Sequence, residues 1–334
     1  MPSPKPWVAV TATDDFPVSM TPVRAALRGV APIKIIPLPF SPIGEGEETR
    51  FAKMLKGAAG MLLRPGYITP TLLDKLPDLR VVAVHGAGVD QVNVDACTER
   101  GVLVTNAPGA NADAVAELTL CLMVNLARKV AESAARVQAE RVWGEARHTG
   151  TELKGKTLGL VGIGQIGGRV TGMAKAFGMK VCAHDPGLSG ADIRKLGAKP
   201  MKLEALLAAS DYVSLHAPHM PATHHMINRK AFAAMKKGAF LINAARGPLV
   251  DESALARALK SGKLGGAALD VLEGEPPDPD SSIFDAPNIL LTPHIGGSTV
   301  ECLDTIAGTA GADIARFIQG KRVRHPVNKV RKSR

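Results

Sequence analysis

Aromatic residues are scarce in this 334-residue chain, at 4% of positions. That disfavours an aromatic-rich β-sandwich, whereas 34 Gly and abundant Ala suit closely packed α/β layers. There are only four cysteines, Cys97, Cys121, Cys182 and Cys302, with no CxxC spacing. Neither a disulfide framework nor a thiolate metal site is expected, and the thiols read as free. No run of about 18 apolar residues occurs, so no membrane span is expected. The opening MPSPKPWVAV has no basic stretch ahead of a long apolar run, and no secretory signal is expected. These absences suit a cytoplasmic protein.

Acids are missing from one place. Residues 321–334, KRVRHPVNKVRKSR, hold seven Lys or Arg and no Asp or Glu. The net charge is +10, 41 basic against 31 acidic, so the rest of the chain carries only +3. A solvated basic end accounts for the excess. No basic stripe interleaved with aromatics is present, which excludes a nucleic-acid-binding core. With 46% apolar and 22% charged residues the balance is globular, and the length predicts two domains.

Short, continuously apolar runs recur in the first third: Val8–Ala12, Lys34–Leu38, Gly60–Leu63, Arg80–Val84 and Val102–Thr105. Such runs suit parallel strands covered on both faces. Thr69–Leu76 reads as a short helix, and five units predict a small doubly wound, flavodoxin-like sheet. The pattern from Asn111 to Ala139 is helical. Its apolar positions Val115, Leu118, Leu122, Val124, Leu126 and Val130 are too dense for a surface helix, so the stretch is expected to be buried, running between two domains. Arg141–Lys154 reads as an irregular connection. A second array then offers six strands, TLGLV, KVCAH, YVSLH, AFLIN, GAALD and NILLT. Helical patterns lie between most of them, including Leu203–Ala209 and Glu252–Lys260, the latter with Asp251 as N-cap and Gly262 past its end. Crossovers of this kind predict a Rossmann sheet. A last helix, Thr299–Gln319, is expected to return to the first domain.

GIGQIG at 162–167 follows the strand TLGLV directly and opens a helix. Gly162 permits the tight turn, Gly164 admits a pyrophosphate to the backbone, and Gly167 allows close helix–strand packing. The helix start adds N–H donors and a positive dipole end. Alone the fingerprint is weak. The next strand, however, ends at Asp185, eighteen residues beyond Gly167. A carboxylate there can accept from ribose hydroxyls and repel a 2′-phosphate. Pro186 and Gly187 follow it rather than an Arg, so NAD is expected over NADP.

Three polar residues follow successive strands where open α/β sheets bind ligands. Arg246 comes after AFLINAA, Glu275 after GAALDVLEG and His294 after NILLTP. A guanidinium can grip a carboxylate and polarise a neighbouring oxygen. An imidazole can exchange a proton with that oxygen near neutral pH. A carboxylate behind the imidazole orients it and raises its pKa. The combination is what hydride chemistry at C2 of a 2-hydroxy or 2-oxo acid requires.

The motifs resemble the D-isomer-specific 2-hydroxyacid dehydrogenase family, which includes D-3-phosphoglycerate dehydrogenases and glyoxylate/hydroxypyruvate reductases. The matching stretches are HGAGVDQVNVDACTERGVLVTNAP at 85–108, NADAVAELTL at 111–120, LVGIGQIGGRV at 160–170 and HAP at 216–218. NAARGPLVDESAL at 243–255, ALDVLEGEPP at 268–277 and TPHIGGST at 292–299 complete them. The resemblance implies a substrate domain of residues 1–108 with 296–330 and a Rossmann NAD-binding domain of 109–295. It implies Arg246, Glu275 and His294 as catalytic residues. For the cofactor it implies Gly162, Gly164, Gln165, Ile166, Gly167, Asp185, His216, Pro218, Thr223, Ala244, Arg246, Asp270, His294 and Gly296. For a small anionic substrate it implies Arg64, Gly86, Ala87, Gly88, Asn111 and Arg246, and for assembly a homodimer.

His216 and His219 flank the strand-end HAP and either touch cofactor or pack beneath it. His224 and His225 are adjacent, so their side chains should diverge with no third ligand, and no metal site is expected. The alternative from another class is an NAD(H)-sensing corepressor-like binding protein on the same fold, disfavoured by the lack of an extended partner-binding tail. A formate dehydrogenase fits poorly because Glu275 runs straight into Pro276 and Pro277. No residue selects among hydroxypyruvate, glyoxylate and phosphoglycerate-type substrates. The length leaves no room for appended regulatory domains, so a compact reductase or an unregulated phosphoglycerate dehydrogenase is expected.

Overall fold

The computed structural model describes residues 6–40, 44–141, 143–144 and 149–330. The first five residues of the MPSPKPWVAV opening, the basic segment beyond Val330 and part of the connection after Arg141 lie outside the described residues. The chain forms two compact units, one of Met1–Asn111 with Ser298–Arg334 and one of Ala112–Gly297.

The first unit holds β1 (Trp7–Thr11), α1 (Met20–Leu27), β2 (Ile33–Ile36), α2 (Glu45–Leu55), β3 (Ala58–Leu63) and α3 (Pro70–Asp74). β4 (Val81–Val84), α4 (Val94–Glu99) and β5 (Leu103–Thr105) follow. All strand pairs are parallel, in the order β2-β1-β3-β4-β5, the flavodoxin-like arrangement. Val8, Val10, Leu62 and Val81 face one apolar layer, and Ala9, Met61, Leu63 and Val82 face the other. Alternation with no polar face is what double coverage demands. Only the edge strand β2 departs from it, leaving Ile35 half exposed.

The second unit begins with α5 (Ala112–Arg128) and α6 (Val130–Glu140). Here the single buried helix expected over 111–139 is corrected. Lys129 adopts a left-handed φ of 52° and separates two helices, with the Asn125 side chain accepting from the Ala131 N–H. Neither Gly nor Pro marks the break. α5 buries Val115, Leu120 and Leu122, whereas α6 buries none of its residues and leaves Val130 47% exposed.

The sheet that follows has seven strands, not six. In chain order these are β6 (Thr157–Val161), α7 (Gln165–Ala176), β7 (Lys180–His184), α8 (Gly190–Lys195), β8 (Lys199–Pro200) and α9 (Leu203–Ala209). Then come β9 (Tyr212–Leu215), α10 (Arg229–Ala234), β10 (Ala239–Asn243), α11 (Glu252–Lys260), β11 (Leu264–Leu269) and β12 (Ile289–Leu291). The extra strand, β8, has two residues on the sheet's edge, too short to register as an apolar run, and its Pro suits an edge. The order β12-β11-β10-β9-β6-β7-β8 is parallel throughout, the Rossmann sequence extended by one strand. α5, α7 and α8 cover one face and α9, α10 and α11 the other.

The chain ends with α12 (Val300–Ile318), N-capped by Thr299 and packed in the first unit against α1, β3 and β4. Its buried Asp313 accepts from the backbone N–H groups of Arg324 and His325, anchoring the segment beyond. Capping elsewhere is equally explicit. Asp251 accepts from the Ala254 N–H at 2.8 Å at the start of α11. Asp251→Ala should cost about 1 kcal/mol, a drop of roughly 2–4 °C in Tm. Thermal melts of Asp251→Ala and Asp251→Asn check this, with Asn retaining most of the stability and an unchanged Tm in Ala refuting the cap.

Candidate active site

β10, β11 and β12 are consecutive neighbours, so their carboxyl ends lie side by side. Arg246 comes three residues past β10, Glu275 six past β11 and His294 three past β12. Arg246 and His294 are each held by a buried polar group. Asn243, fully buried, donates from Nδ2 to the Arg246 carbonyl at 2.9 Å and accepts from the Ala245 N–H at 3.1 Å. Its own carbonyl accepts the Asp270 N–H at 2.9 Å. Asp270 is 2% exposed, and its carboxylate accepts from Thr292 Oγ1 at 2.6 Å and from the N–H groups of Ile295 and Gly296, both at 2.8 Å. It therefore clamps both sides of His294.

His294 sits at φ 54°, a left-handed conformation unusual outside Gly, with its N–H donating to the Asp270 carbonyl at 2.9 Å. Its Nδ1 lies 2.6 Å from Glu275 Oε2, and Glu275 Oε1 accepts from the Leu272 N–H at 3.2 Å. Because a carboxylate only accepts, Nδ1 carries a proton and Nε2 is left for a ligand. Partial burial pulls the imidazole pKa down, but the hydrogen bond and charge of Glu275, aided by Asp270, outweigh it and raise the pKa above its ordinary value. The charge of Arg246 opposes them.

At the other strand ends, the glycine loop divides its labour. A Cβ on Gly162, at φ 89°, would meet the His216 carbonyl at 2.6 Å, and one on Gly167 would meet the Gly162 carbonyl at 2.5 Å. One on Gly164 would meet nothing within 4 Å. Two glycines thus serve the fold, and the third leaves open space at the start of α7, which no side chain caps. Gln165 and Ile166 form its first turn. Asp185 accepts from the Ile163 N–H at 3.0 Å and from the Gly187 N–H at 2.9 Å. A carboxylate has about four acceptor sites, so two remain. This arrangement fits a dinucleotide: an open uncapped helix start for phosphates and a fixed acceptor for ribose.

His216 packs beneath the loop. Its Nε2 is 2.9 Å from Ser214 Oγ, its Nδ1 is buried without a partner, and burial pushes its pKa to about 4, so the ring is neutral. Thr223 Oγ1 donates to the exposed Pro218's carbonyl at 2.8 Å, closing the turn between them. Ala244 is buried at the end of β10. The expectation for His224 and His225 is corrected. Their rings stack with centroids 4.0 Å apart, because His225 takes a left-handed φ of 49°, and Glu273 Oε1 lies 3.0 Å from His225 Nε2.

The first unit holds the remaining candidates. Gly86, Ala87 and Gly88 follow β4. The Gly86 carbonyl accepts from the Ala107 N–H at 2.8 Å, and the Ala87 carbonyl from Asn106 Nδ2 at 2.6 Å. Asn111 closes this stretch of the unit. The Nη1 of Arg64 is buried without a partner, and burial lowers its pKa. His85, which the sequence reading missed, has a buried unpartnered Nε2. Burial and then the Arg64 charge drive its pKa to about 4. Its position immediately before Gly86 was the available signal.

Residues 120–296 match the family model described as D-isomer specific 2-hydroxyacid dehydrogenase, NAD binding domain. A D-3-phosphoglycerate dehydrogenase of Methanocaldococcus jannaschii is 39% identical over 276 residues, covering 82% of this chain and 52% of that protein. The TT0316 protein of Thermus thermophilus superposes with a TM-score of 0.86 at 36% identity, covering 96% of this chain and 99% of that one. The chain belongs to the D-isomer specific 2-hydroxyacid dehydrogenase family. A glyoxylate reductase from Paecilomyes thermophila also matches, with a TM-score of 0.84 at 29% identity over 98% of this chain and 99% of its own. The chain spans about half the length of the curated relatives it matches. These family relatives do not favour the corepressor alternative.

The His294–Glu275 geometry makes a direct prediction. A group whose folded pKa is raised contributes stability at low pH that is lost as pH rises through the folded value. NMR titration of His294 should therefore give a pKa above the usual histidine value. Glu275→Gln should bring it down, and an identical titration in both proteins would remove the charge coupling.

Proposed function

We propose that the chain is an NAD-dependent D-2-hydroxyacid dehydrogenase working as a 2-oxoacid reductase on a small anionic substrate of the hydroxypyruvate, glyoxylate or phosphoglycerate type. The observation that carries this reading is the Glu275-supported imidazole of His294, at strand ends of the sheet that also carries Arg246 and an open glycine loop. When bound, the nicotinamide supplies or accepts the hydride at C2. In reduction, His294 donates its Nε2 proton to the C2 oxygen while Glu275 holds the imidazolium. In oxidation, neutral Nε2 takes that proton back. Arg246 grips the substrate carboxylate and polarises the same oxygen, stabilising the charge that builds there. Asp270 serves chiefly by fixing the loop that aims His294.

Gly162, Gly164, Gln165, Ile166 and Gly167 hold the pyrophosphate and Asp185 the adenosine ribose. Ala244, Asp270 and Gly296 belong to the nicotinamide end, with Pro218 and Thr223 along the cofactor. Backbone N–H groups of Gly86, Ala87 and Gly88, with Asn111, bind the substrate carboxylate. The unsatisfied Arg64 Nη1 supports an anionic tail. A homodimer belongs to the same proposal, supported by an α6 that buries none of its own residues. A cytoplasmic location is supported by free cysteines and, among the described residues, by no helix long and apolar enough to cross a membrane.

The deciding experiment is NADH oxidation with glyoxylate, hydroxypyruvate, phosphohydroxypyruvate, pyruvate and bulkier 2-oxo acids. At least one should turn over, and His294→Ala should lower kcat by roughly 10²–10⁴-fold with little change in NADH affinity. Normal turnover by His294→Ala would discard the acid/base role. Cofactor preference offers a separate check. NADH should be used far better than NADPH, and Asp185→Ala should narrow the gap; equal kcat/KM for both in the unmodified protein would contradict the Asp185 assignment.

A further inference from the structure

Besides the Glu275–His294 pair, two separately anchored backbone segments bring imidazoles and a carboxylate together. On the first, the His225 N–H donates to the Pro248 carbonyl at 2.8 Å and its carbonyl accepts from Asn228 Nδ2 at 3.0 Å. The bridge between Ile227 and Val250 holds the same stretch from the other side. Its left-handed φ turns the His225 ring face to face with that of His224, 17° from parallel. On the second, the Glu273 N–H donates to Glu252 Oε1 at 2.6 Å. Glu273 thereby presents its carboxylate to His225.

One donor atom from each of His224, His225 and Glu273 lies within 4.8 Å of the other two. Tetrahedral zinc, with bonds of about 2.0–2.2 Å, needs donors roughly 3.4 Å apart. The His225–Glu273 pair, at 3.0 Å, has only to open by about 0.4 Å. The exposed His224 ring has only to swing inward. Water can fill the fourth position, and the His219 ring centroid is 5.5 Å from that of His224. An ordinary surface ion pair accounts for His225 and Glu273 alone. It does not account for a strained backbone that stacks a second imidazole on the first.

We propose that His224, His225 and Glu273 form a surface site for a divalent transition-metal ion. Two imidazoles and one carboxylate select Zn²⁺, Ni²⁺ or Cu²⁺ over Mg²⁺ or Ca²⁺, which require mostly oxygen ligands. The site is independent of the proposed redox reaction, since none of its ligands is assigned to that chemistry.

The test is titration of chelator-stripped full chain with Zn²⁺ against a chromophoric competitor, alongside Co²⁺ uptake followed by visible absorption. One equivalent should bind per chain, with the spectrum of a four-coordinate ion. Glu273→Gln and His225→Asn, the latter chosen because Asn tolerates a left-handed backbone, should each weaken uptake at least about tenfold. His294→Ala should leave it unchanged, separating this site from the Glu275–His294 pair. Melting curves of the metal-free variants establish that each is folded; if one is not, the other decides. No stoichiometric uptake, unaltered uptake in the folded variants, or uptake lost in His294→Ala would each overturn the proposal.

Discussion

A buried carboxylate must find donors, and Asp270 finds all of its donors in one short loop. Leaving such a charge unpaired costs several kcal/mol, whereas one left-handed non-glycine residue costs about 1–3 kcal/mol. The electrostatic demand therefore wins. The loop after β12 closes over Asp270, and His294 accepts the conformation that closure imposes. The direction in which Nδ1 faces Glu275, and hence the proton placement on the ring, follows from that closure.

The sheet transmits the same constraint sideways. The Asn243 carbonyl receives the Asp270 N–H, while the Asn243 side chain straps the turn that carries Arg246. Two buried polar residues at adjacent strand ends thus position a guanidinium and an imidazole from separate loops. A parallel sheet makes this possible because all its carboxyl ends emerge together. Burial strengthens these hydrogen bonds and raises the cost of breaking any of them.

Much of this was legible in the sequence. Apolar runs located ten of the twelve strands closely and an eleventh, GAALD, within two residues of its start; only the two-residue β8 escaped. The glycine fingerprint and Asp185 stood in their expected places. What stayed hidden shares a physical cause. The break at Lys129, the turn of His294 and the stacking of His224 on His225 all rest on left-handed backbone at residues other than Gly. Long-range contacts impose such conformations, and local composition does not record them. Asp270 could be noticed, but that its oxygens are occupied by donors more than twenty residues away could not. Arg64 and His85 were similarly opaque, since the lack of a partner for a polar atom is a property of the folded interior.

The return of α12 to the first unit has a temporal consequence during synthesis. Ala307, Ala310 and Ile314 complete the apolar layer over Val8, Leu62 and Val81, yet the 186 residues of Ala112–Gly297 are made in between. At about 5–20 residues per second, that is a wait of roughly 10–40 s. Throughout it, one face of a five-stranded sheet has α1 but lacks the part of its cover that α12 supplies, while the second unit, contiguous in sequence, has everything it needs to fold once Gly297 is made. A nascent chain arrested before Ser298 should expose β1 and β3 to proteases that the finished chain resists. The later-made unit can therefore be the earlier-finished one.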